Sequence, residues 1–271
     1  MAYYLNNIQS LIDEATRQFR EAVEPEEIQL IPSDENKFSM QKWFKIPEVI
    51  CVYVDIRNST WMSAARQSKT TAKIYQYFVD TAVRIFHEFN AEYIDIKWDW
   101  VFALFSKWRH FKALAATITF KTFCDLSFVP ESKKAYWDHL DLGVHIWIDQ
   151  KTVLVKQIWL KDNWARDRRK NEVWAWKPIN MASKLASKSW DKTVFISDRF
   201  HRKLDGSDEA TLSCWCKNWI PSWVKNSLWD KVDVTEYRIF DFDYGWKLNS
   251  HWCTNHWKEY CEKLLYLDSQ I

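Results

Sequence analysis

Two apolar runs that each lead to an aspartate constrain the fold more than any other feature of this chain. Residues 51–54 read Cys-Val-Tyr-Val and lead directly to Asp55, after which a polar turn precedes a long helical pattern. Residues 93–98 lead in the same way to Asp99. A short apolar run bounded by polar residues is typical of a buried strand, so we expect two strands that each deliver a carboxylate at their end.

Two such carboxylates, if they meet in space, form a site for hard divalent cations, which take oxygen ligands. Two divalent ions on a triphosphate promote in-line attack at phosphorus. The alternative is a pair of ordinary carboxylates on a solvated rim, because loop residues after strands are often polar. The spacing of Asp55 and Asp99 alone leaves both interpretations open.

The overall charge argues against a protein that binds nucleic acid through its charge. The 271 residues include 38 basic and 36 acidic side chains, which gives a net charge of +2. No apolar run is long enough to span a bilayer, and the first residues lack a basic segment followed by an apolar one. We therefore expect a cytoplasmic protein of one large domain, or of one domain with extensions, with its six cysteines as free thiols.

The chain has 19 Trp and 3 Gly. Typical usage of about 7% would give roughly 19 Gly. Several Trp also stand where a turn needs glycine, as Trp98 and Trp100 do on either side of Asp99. Some bacterial lineages read the UGA codon as glycine, and we hypothesise that many of these Trp are Gly in the natural protein.

The hydrophobic pattern predicts alternating strands and helices with antiparallel hairpins, hence an α+β fold, a ferredoxin-like sandwich. An amphipathic helix is expected over residues 3–23, and a polar linker over 24–46. The other predicted elements are strands over 48–56, 92–96, 101–105, 140–148, 152–158, 193–197 and 232–240, helices over 63–90, 109–124, 178–187, 198–204 and 252–267, and a charged loop over 160–171. Residues 92–105 and 140–158 are each predicted to form a hairpin.

Four stretches, in order, resemble class III nucleotidyl cyclases. Residues 54–60 (Val-Asp-Ile-Arg-Asn-Ser-Thr) resemble the first metal motif of that family, and residues 96–103 resemble the second, with Trp in place of Gly on both sides of the aspartate. Residues 142–147 resemble the next strand, and residues 176–184 resemble the helix that carries the transition-state Asn and Arg. The resemblance implies an N-terminal helix and linker (1–45), a cyclase domain (46–204) with the family's sandwich fold, and a C-terminal extension (205–271).

The family resemblance also implies a homodimer with active sites at the interface and a nucleoside triphosphate as substrate. Asp55 and Asp99 would bind two Mn²⁺ or Mg²⁺ ions, with help from the backbone carbonyl of Ile56. The ions would lower the pKa of the ribose 3′-hydroxyl, which attacks the α-phosphate and releases pyrophosphate. From the other subunit, Asn180 would orient the ribose, and a cation would stabilise the charge on phosphorus.

Three positions depart from the family pattern. The family's Arg is Lys184 here, which keeps the charge but loses the bidentate fork, so Arg166 or a neighbouring arginine becomes a candidate helper. The position that is Lys in adenylyl cyclases and Glu in guanylyl cyclases is Asp95. The position that is usually Asp in adenylyl cyclases is Val173, which cannot accept a hydrogen bond from an adenine amino group.

This combination resembles the pyrimidine cyclases of bacterial anti-phage (Pycsar) systems, notably over residues 171–180. The resemblance implies a cyclase for UTP, or for CTP, whose product is a second messenger read by a downstream effector in abortive infection. Tyr53 lies on the same side of its strand as Asp55 and is a candidate for stacking on a small base, with plain core packing as the alternative. The alternatives to this function are an adenylyl or guanylyl cyclase, and a non-catalytic nucleotide-binding dimer.

Two further signals receive a structural interpretation. Cys214, Cys216 and the group His251, Cys253, His256 and Cys261 suggest zinc, but no spacing matches a paired Cys-x-x-Cys site, so incidental thiols are favoured. His145 lies in a predicted strand and is interpreted as a core histidine.

Overall fold

The computed structural model describes residues 2–32, 42–64, 68–135, 142–159, 170–175, 193–214, 216, 225–237 and 240–271. The helices are Ala2–Arg20 (α1), Ser59–Ala64 (α2), Ser68–Glu88 (α3), His110–Phe123 (α4), Val129–Ala135 (α5), Asp198–His201 (α6), Asp208–Thr211 (α7) and Trp257–Asp268 (α8). The strands are Glu26–Glu27 (β1), Phe44–Arg57 (β2), Tyr93–Lys97 (β3), Trp100–Phe105 (β4), Gly143–Trp159 (β5), Lys170–Ala175 (β6), Val194–Ser197 (β7), Trp229–Asp233 (β8) and Tyr244–Leu248 (β9). A π-helical turn, Cys124–Phe128, follows α4, and a 3₁₀ turn, Thr254–His256, precedes α8. None of the helices in these ranges combines the length and the hydropathy needed to cross a bilayer.

The strands form one mixed sheet in the order β3-β4-β2-β5-β7-β9-β8, with β1 beside β2 and β6 beside β5. The central strand β2 pairs antiparallel with both β4 and β5, and β5 pairs parallel with β7. Residues 49–54 of β2 are all buried, which explains their continuous apolar sequence. Mixed strands with packed helices confirm the predicted α+β fold.

Helices α3 and α4 cover one face of the sheet through aromatic side chains. Phe78 and Phe86 of α3 pack on Phe120 of α4, with ring centroids 5.3 Å and 5.9 Å apart, and all three are fully buried. Burying a side chain of this size contributes about 1.5–3 kcal/mol. The C-terminal helix α8 packs on α4 in turn, where Cys261 Sγ lies 3.5 Å from Thr119 Oγ1.

The hairpin predicted over residues 140–148 and 152–158 is wrong, because residues 143–148 and 152–158 belong to the single strand β5. The polar residues Asp149 and Gln150 suggested a turn, yet both are buried. Arg199 donates to the Asp149 carboxylate from Nε at 2.6 Å and from Nη2 at 2.9 Å, and Gln150 Nε2 donates to two backbone carbonyls. Tertiary partners thus satisfy polar groups that, in the sequence alone, indicate an exposed turn.

The strand predicted over residues 232–240 is also displaced. β8 ends at Asp233, and β9 begins at Tyr244. Between them the Tyr237 N–H donates to the Val234 carbonyl and the Phe240 N–H to the Tyr237 carbonyl, so the apolar residues recur through turns rather than along a strand.

Several other predicted elements change their bounds. Strand β1 and the start of β2 lie within the linker predicted over 24–46, and the helix predicted over 252–267 begins at Trp257. The helix predicted over 63–90 is described as two helices, α2 and α3. The charged loop predicted over 160–171 gives way to strand β6 at residue 170, and its remaining residues lie outside the described ranges, as does the helix predicted over 178–187.

Candidate active site

Asp55 and Asp99 meet where β2 ends beside the turn that joins β3 to β4. Asp55 pairs with Trp100 of β4, and Asp99 is the residue just before Trp100 in a two-residue turn. The backbone N–H of Ile56 donates a hydrogen bond of 3.2 Å to the backbone carbonyl of Asp99. This bond fixes the turn against the end of β2, so both aspartates belong to one rim of the sheet.

The electrostatics of this rim favour a cation. Burial raises the pKa of the Asp55 carboxyl to about 7, and the charge of Asp99 adds to that rise, while a hydrogen bond from the Ile56 backbone opposes it. A carboxylate in these surroundings ionises at a cost unless a counter-charge is supplied. A divalent cation with oxygen ligands supplies that charge, so the pair fits Mn²⁺ or Mg²⁺.

Tyr53 lies two residues before Asp55, on the same face of β2. It is 2% exposed, and its ring centroid lies 5.4 Å from that of Trp100. Burial raises the pKa of the Tyr53 hydroxyl well above its ordinary value, with smaller contributions from the charges of Asp55 and Asp99. These surroundings are those of the core-packing alternative, and stacking of Tyr53 on a base stays a prediction.

Asp95 lies on β3, four residues before Asp99. Its Oδ1 accepts a hydrogen bond from the Ile96 N–H at 2.8 Å, and its Oδ2 lies 3.3 Å from Lys97 Nζ. Asp95 lies opposite Phe102 of β4, and Asp55 lies opposite Trp100, two residues earlier on that strand. Residues two apart on a strand share a face, so Asp95 and Asp55 are on the same face of the sheet, on either side of β4.

Strand β6 brings residues 172–174 to the aromatic face of β3 and β4. The Tyr93 hydroxyl donates to Glu172 Oε2 at 3.2 Å, and the Tyr93 ring centroid lies 4.9 Å from that of Trp174. Val173 lies between these two residues and is 39% exposed. Because side chains alternate along a strand, Val173 is directed away from the Tyr93 contact.

The remaining predicted site residues, Asn180, Lys184 and Arg166, lie outside the described ranges. The structure therefore brings together Asp55, Ile56 and Asp99, and places Tyr53 next to them.

His145 is a neighbour of this site that the sequence analysis interpreted as a core residue. It pairs directly with Asp55 across β2 and β5, and it is half-buried. Side chains directly opposite each other in an antiparallel pair share a face, with Cβ atoms about 4.5–5.5 Å apart. The sequence pattern around His145 did not show that it shares a face with Asp55, because that relationship depends on the register between β5 and β2.

Two relatives align with most of the chain. A protein named uridylate cyclase from Propioniciclava tarda is 34% identical over 229 residues, which cover 84% of this chain and 71% of that protein. A protein of the same name from Micromonospora echinofusca is 30% identical over 230 residues, which cover 83% and 72% of the two chains. No family model matches the chain.

The fold is similar to that of the adenylyl cyclase CyaB from P. aeruginosa. The TM-score is 0.53, with 13% identity, and the match covers 76% of this chain and 95% of that one. At this identity the likeness concerns the fold alone, and it confirms the cyclase sandwich that the four motifs predicted.

Proposed function

Because the chain belongs to the uridylate cyclase family, we propose that it converts UTP to 3′,5′-cyclic UMP and pyrophosphate. The ribose 3′-oxygen loses its proton and forms a bond to the α-phosphorus. The bond from the α-phosphorus to the oxygen that bridges to the β-phosphate breaks, and pyrophosphate leaves with that electron pair. The observation that supports this proposal most is that Asp55 and Asp99 lie at one rim of the sheet, where the charge of Asp99 acts on the Asp55 carboxyl.

Asp55 and Asp99 are the residues that would hold the divalent cations, two Mn²⁺ or Mg²⁺ ions, together with the backbone carbonyl of Ile56. When bound, the ions neutralise the triphosphate and lower the pKa of the 3′-hydroxyl. The chain contributes a fixed position for the carboxylates, since the Ile56–Asp99 hydrogen bond ties the turn to the strand. Carboxylates held by backbone geometry lose little entropy when a substrate binds.

A second copy of the chain would complete the site. In this proposal Asn180 orients the ribose and Lys184 stabilises the negative charge on the phosphorus, helped by Arg166. All three residues come from the other subunit of a homodimer. Support comes from the likeness of residues 176–184 to the cyclase motif. A lysine stabilises the phosphorus charge as a point charge, without the bidentate geometry of arginine.

Selection of a pyrimidine is assigned to Asp95 and Val173, with Tyr53 as a candidate surface for the base. A valine offers no acceptor for the amino group of adenine. A carboxylate such as Asp95 accepts a hydrogen bond from uracil N3–H or from the amino group of cytosine, so it is compatible with UTP and CTP. The names of the two relatives favour UTP.

The test is product analysis by mass after incubation with Mn²⁺ and each of the four ribonucleoside triphosphates separately. Cyclic UMP from UTP is the expected product. Asp55→Ala should abolish it, whereas Asp80→Ala, at an exposed position on α3, should leave it unchanged. Cyclic AMP or cyclic GMP as the main product would overturn the pyrimidine assignment, and nucleotide binding without any product would favour the non-catalytic dimer.

We further propose that the product is a second messenger in defence against phage, read by a cyclic-nucleotide-sensing effector. Support comes from the likeness of residues 171–180 to Pycsar cyclases. Cells that carry the cyclase with its neighbouring genes should resist phage and accumulate cyclic UMP on infection, and cells with Asp55→Ala should do neither. Equal plating of phage on both strains would contradict this role.

A further inference from the structure

Four metal-ligating side chains meet just before the C-terminal helix. They are Cys214, Cys216, Cys253 and His256, and their sulfur and nitrogen atoms all lie within 4.8 Å of one another. The Cys216 sulfur lies 3.2 Å from that of Cys214 and 3.0 Å from that of Cys253, and Cys253 Sγ lies 3.5 Å from His256 Nδ1. The sequence analysis favoured incidental thiols because no spacing matched a paired Cys-x-x-Cys site, yet the fold brings these four side chains together.

We propose that this cluster binds one zinc ion as a closed, tetrahedral structural site. Three cysteines and one histidine are a ligand set that structural zinc uses. Zn–S bonds of about 2.3 Å and Zn–N bonds of about 2.0–2.1 Å place tetrahedral ligand atoms roughly 3.5–3.8 Å apart. The Cys253–His256 distance matches this range, and the sulfur pairs lie somewhat closer, yet far beyond the disulfide bond length of about 2.05 Å.

Local backbone structure presents the ligands in two pairs. Cys214 and Cys216 follow the bridge that Leu212 forms with Ser227. Cys253 directly precedes the 3₁₀ turn and His256 is its last residue, and the His256 N–H donates to the Cys253 carbonyl at 3.2 Å.

A cavity of about 760 Å³ opens beside the cluster and gives an ion a route to it. Cys214, Cys253 and His256 line this cavity, and so does His251, which stands outside the cluster.

The ion would tie the start of α8 to an earlier segment of the C-terminal extension. Helix α8 begins directly after His256 and packs on α4, where Arg109 Nη1 lies 2.9 Å from the buried carboxylate of Asp268. The cluster joins the start of α8 to a segment 37 residues earlier in the chain. A zinc ion there closes that loop, as a cross-link does, and thereby stabilises the packing of α8.

The test is the metal content of the full-length protein purified from cells grown with added zinc. We expect one zinc per chain, and we expect His256→Ala and Cys216→Ser to lose it with a lower melting temperature. The matched controls His251→Ala and Cys261→Ser should retain it, as should Asp55→Ala, which separates this site from the candidate active site. His256→Cys keeps four ligands and should retain zinc, and its cobalt-substituted form should show a stronger thiolate-to-cobalt absorption than the wild type.

Wild-type protein without zinc would overturn the proposal, and so would a Cys216–Cys253 disulfide in peptide mapping. Retention of zinc by Cys216→Ser together with its loss from His251→Ala would do the same. Removal of zinc by a chelator provides a second readout that needs no variant, because the melting temperature should fall and recover when zinc is restored.

Discussion

The backbone N–H of Ile56 donates a hydrogen bond to the backbone carbonyl of Asp99 at 3.2 Å. Ile56 directly follows Asp55, so one dipeptide at the end of β2 both presents the first carboxylate and holds the turn that presents the second. The backbone segments that carry the two carboxylates are thereby held together by a hydrogen bond at the end of a buried strand. A metal site on such a rigid element is preorganised for its ions.

Replacement of Asp99 by Asn should remove activity without loss of the fold. The amide keeps the shape of the side chain but is a much poorer ligand for Mg²⁺ or Mn²⁺, so we expect kcat/KM to fall by at least about 100-fold. The melting temperature in chelator should hold or rise, because the charge of Asp99 opposes ionisation of Asp55. Activity near the wild-type level, measured at saturating Mn²⁺, would contradict the metal assignment.

The pH dependence of stability should report the buried carboxyl of Asp55. Its pKa lies near 7 in the folded protein, against an ordinary value of 3.8, so the folded state binds this proton more tightly than the unfolded state does. In chelator, the free energy of unfolding of the wild type relative to Asp55→Asn should be highest below about pH 4 and fall as the pH rises towards 7. Urea titrations of both proteins across this range measure the difference.

Added Mn²⁺ provides the control for that experiment. The ion neutralises the ionised carboxylates of the folded state, so it should remove most of the decline above pH 4 in the wild type and leave Asp55→Asn unchanged. If, in chelator, the free energy of unfolding of the wild type and of Asp55→Asn changed with pH in parallel, the pKa of Asp55 would not be raised and the prediction would be wrong.

Local signals carried the prediction of the Asp55–Asp99 pair. Each aspartate ends a short apolar run, and residues 49–54 are buried on both faces of the sheet. Neighbouring residues along the chain were therefore enough to predict a buried strand that ends in a carboxylate. The wrong hairpin in β5 had the opposite cause. The Asp149 carboxylate is paired inside the strand by Arg199, which is 50 residues away in the sequence. The residues next to Asp149 give no indication of this partner.

The cysteine cluster and the position of His145 were likewise beyond prediction from local sequence patterns. Cys216 and Cys253 are separated by 37 residues and belong to different local elements, so a search for closely spaced cysteine pairs passes over them. His145 is opposite Asp55 only through the register of β2 with β5. Both relationships depend on how elements pair in space, which periodicity within one element does not reveal.

Arg199→Met should destabilise the fold strongly. The side chain of Asp149 is fully buried, and loss of the guanidinium leaves its charge without the fork that now binds it. Removing one partner of a buried ion pair costs about 3–5 kcal/mol, and we expect a loss of that order in the free energy of unfolding from urea titration. The double variant Asp149→Asn, Arg199→Met should recover part of it, and a single-variant loss below about 1 kcal/mol would contradict the role of this pair.

Trp98→Gly should stabilise the protein, although it removes a large side chain. Trp98 has a φ of 61° and is 87% exposed, and it is the first central residue of the two-residue turn before β4. A positive φ at this position is the pattern of a type II′ turn, which has glycine there. The left-handed region costs an ordinary residue about 1–2 kcal/mol, and the exposed ring offers little packing in return, so the free energy of unfolding should rise by roughly 1 kcal/mol. Trp100, for which the sequence also indicated glycine, instead lies in β4 and its ring packs on Tyr53, so Trp100→Gly should destabilise the protein and is the control.

The intact mass of the protein from its native host tests the wider hypothesis, because recoded positions lower the mass by whole multiples of the difference between tryptophan and glycine. A mass that accounts for all 19 Trp would refute the recoding hypothesis, and Trp98 would then be a strained residue of the natural protein.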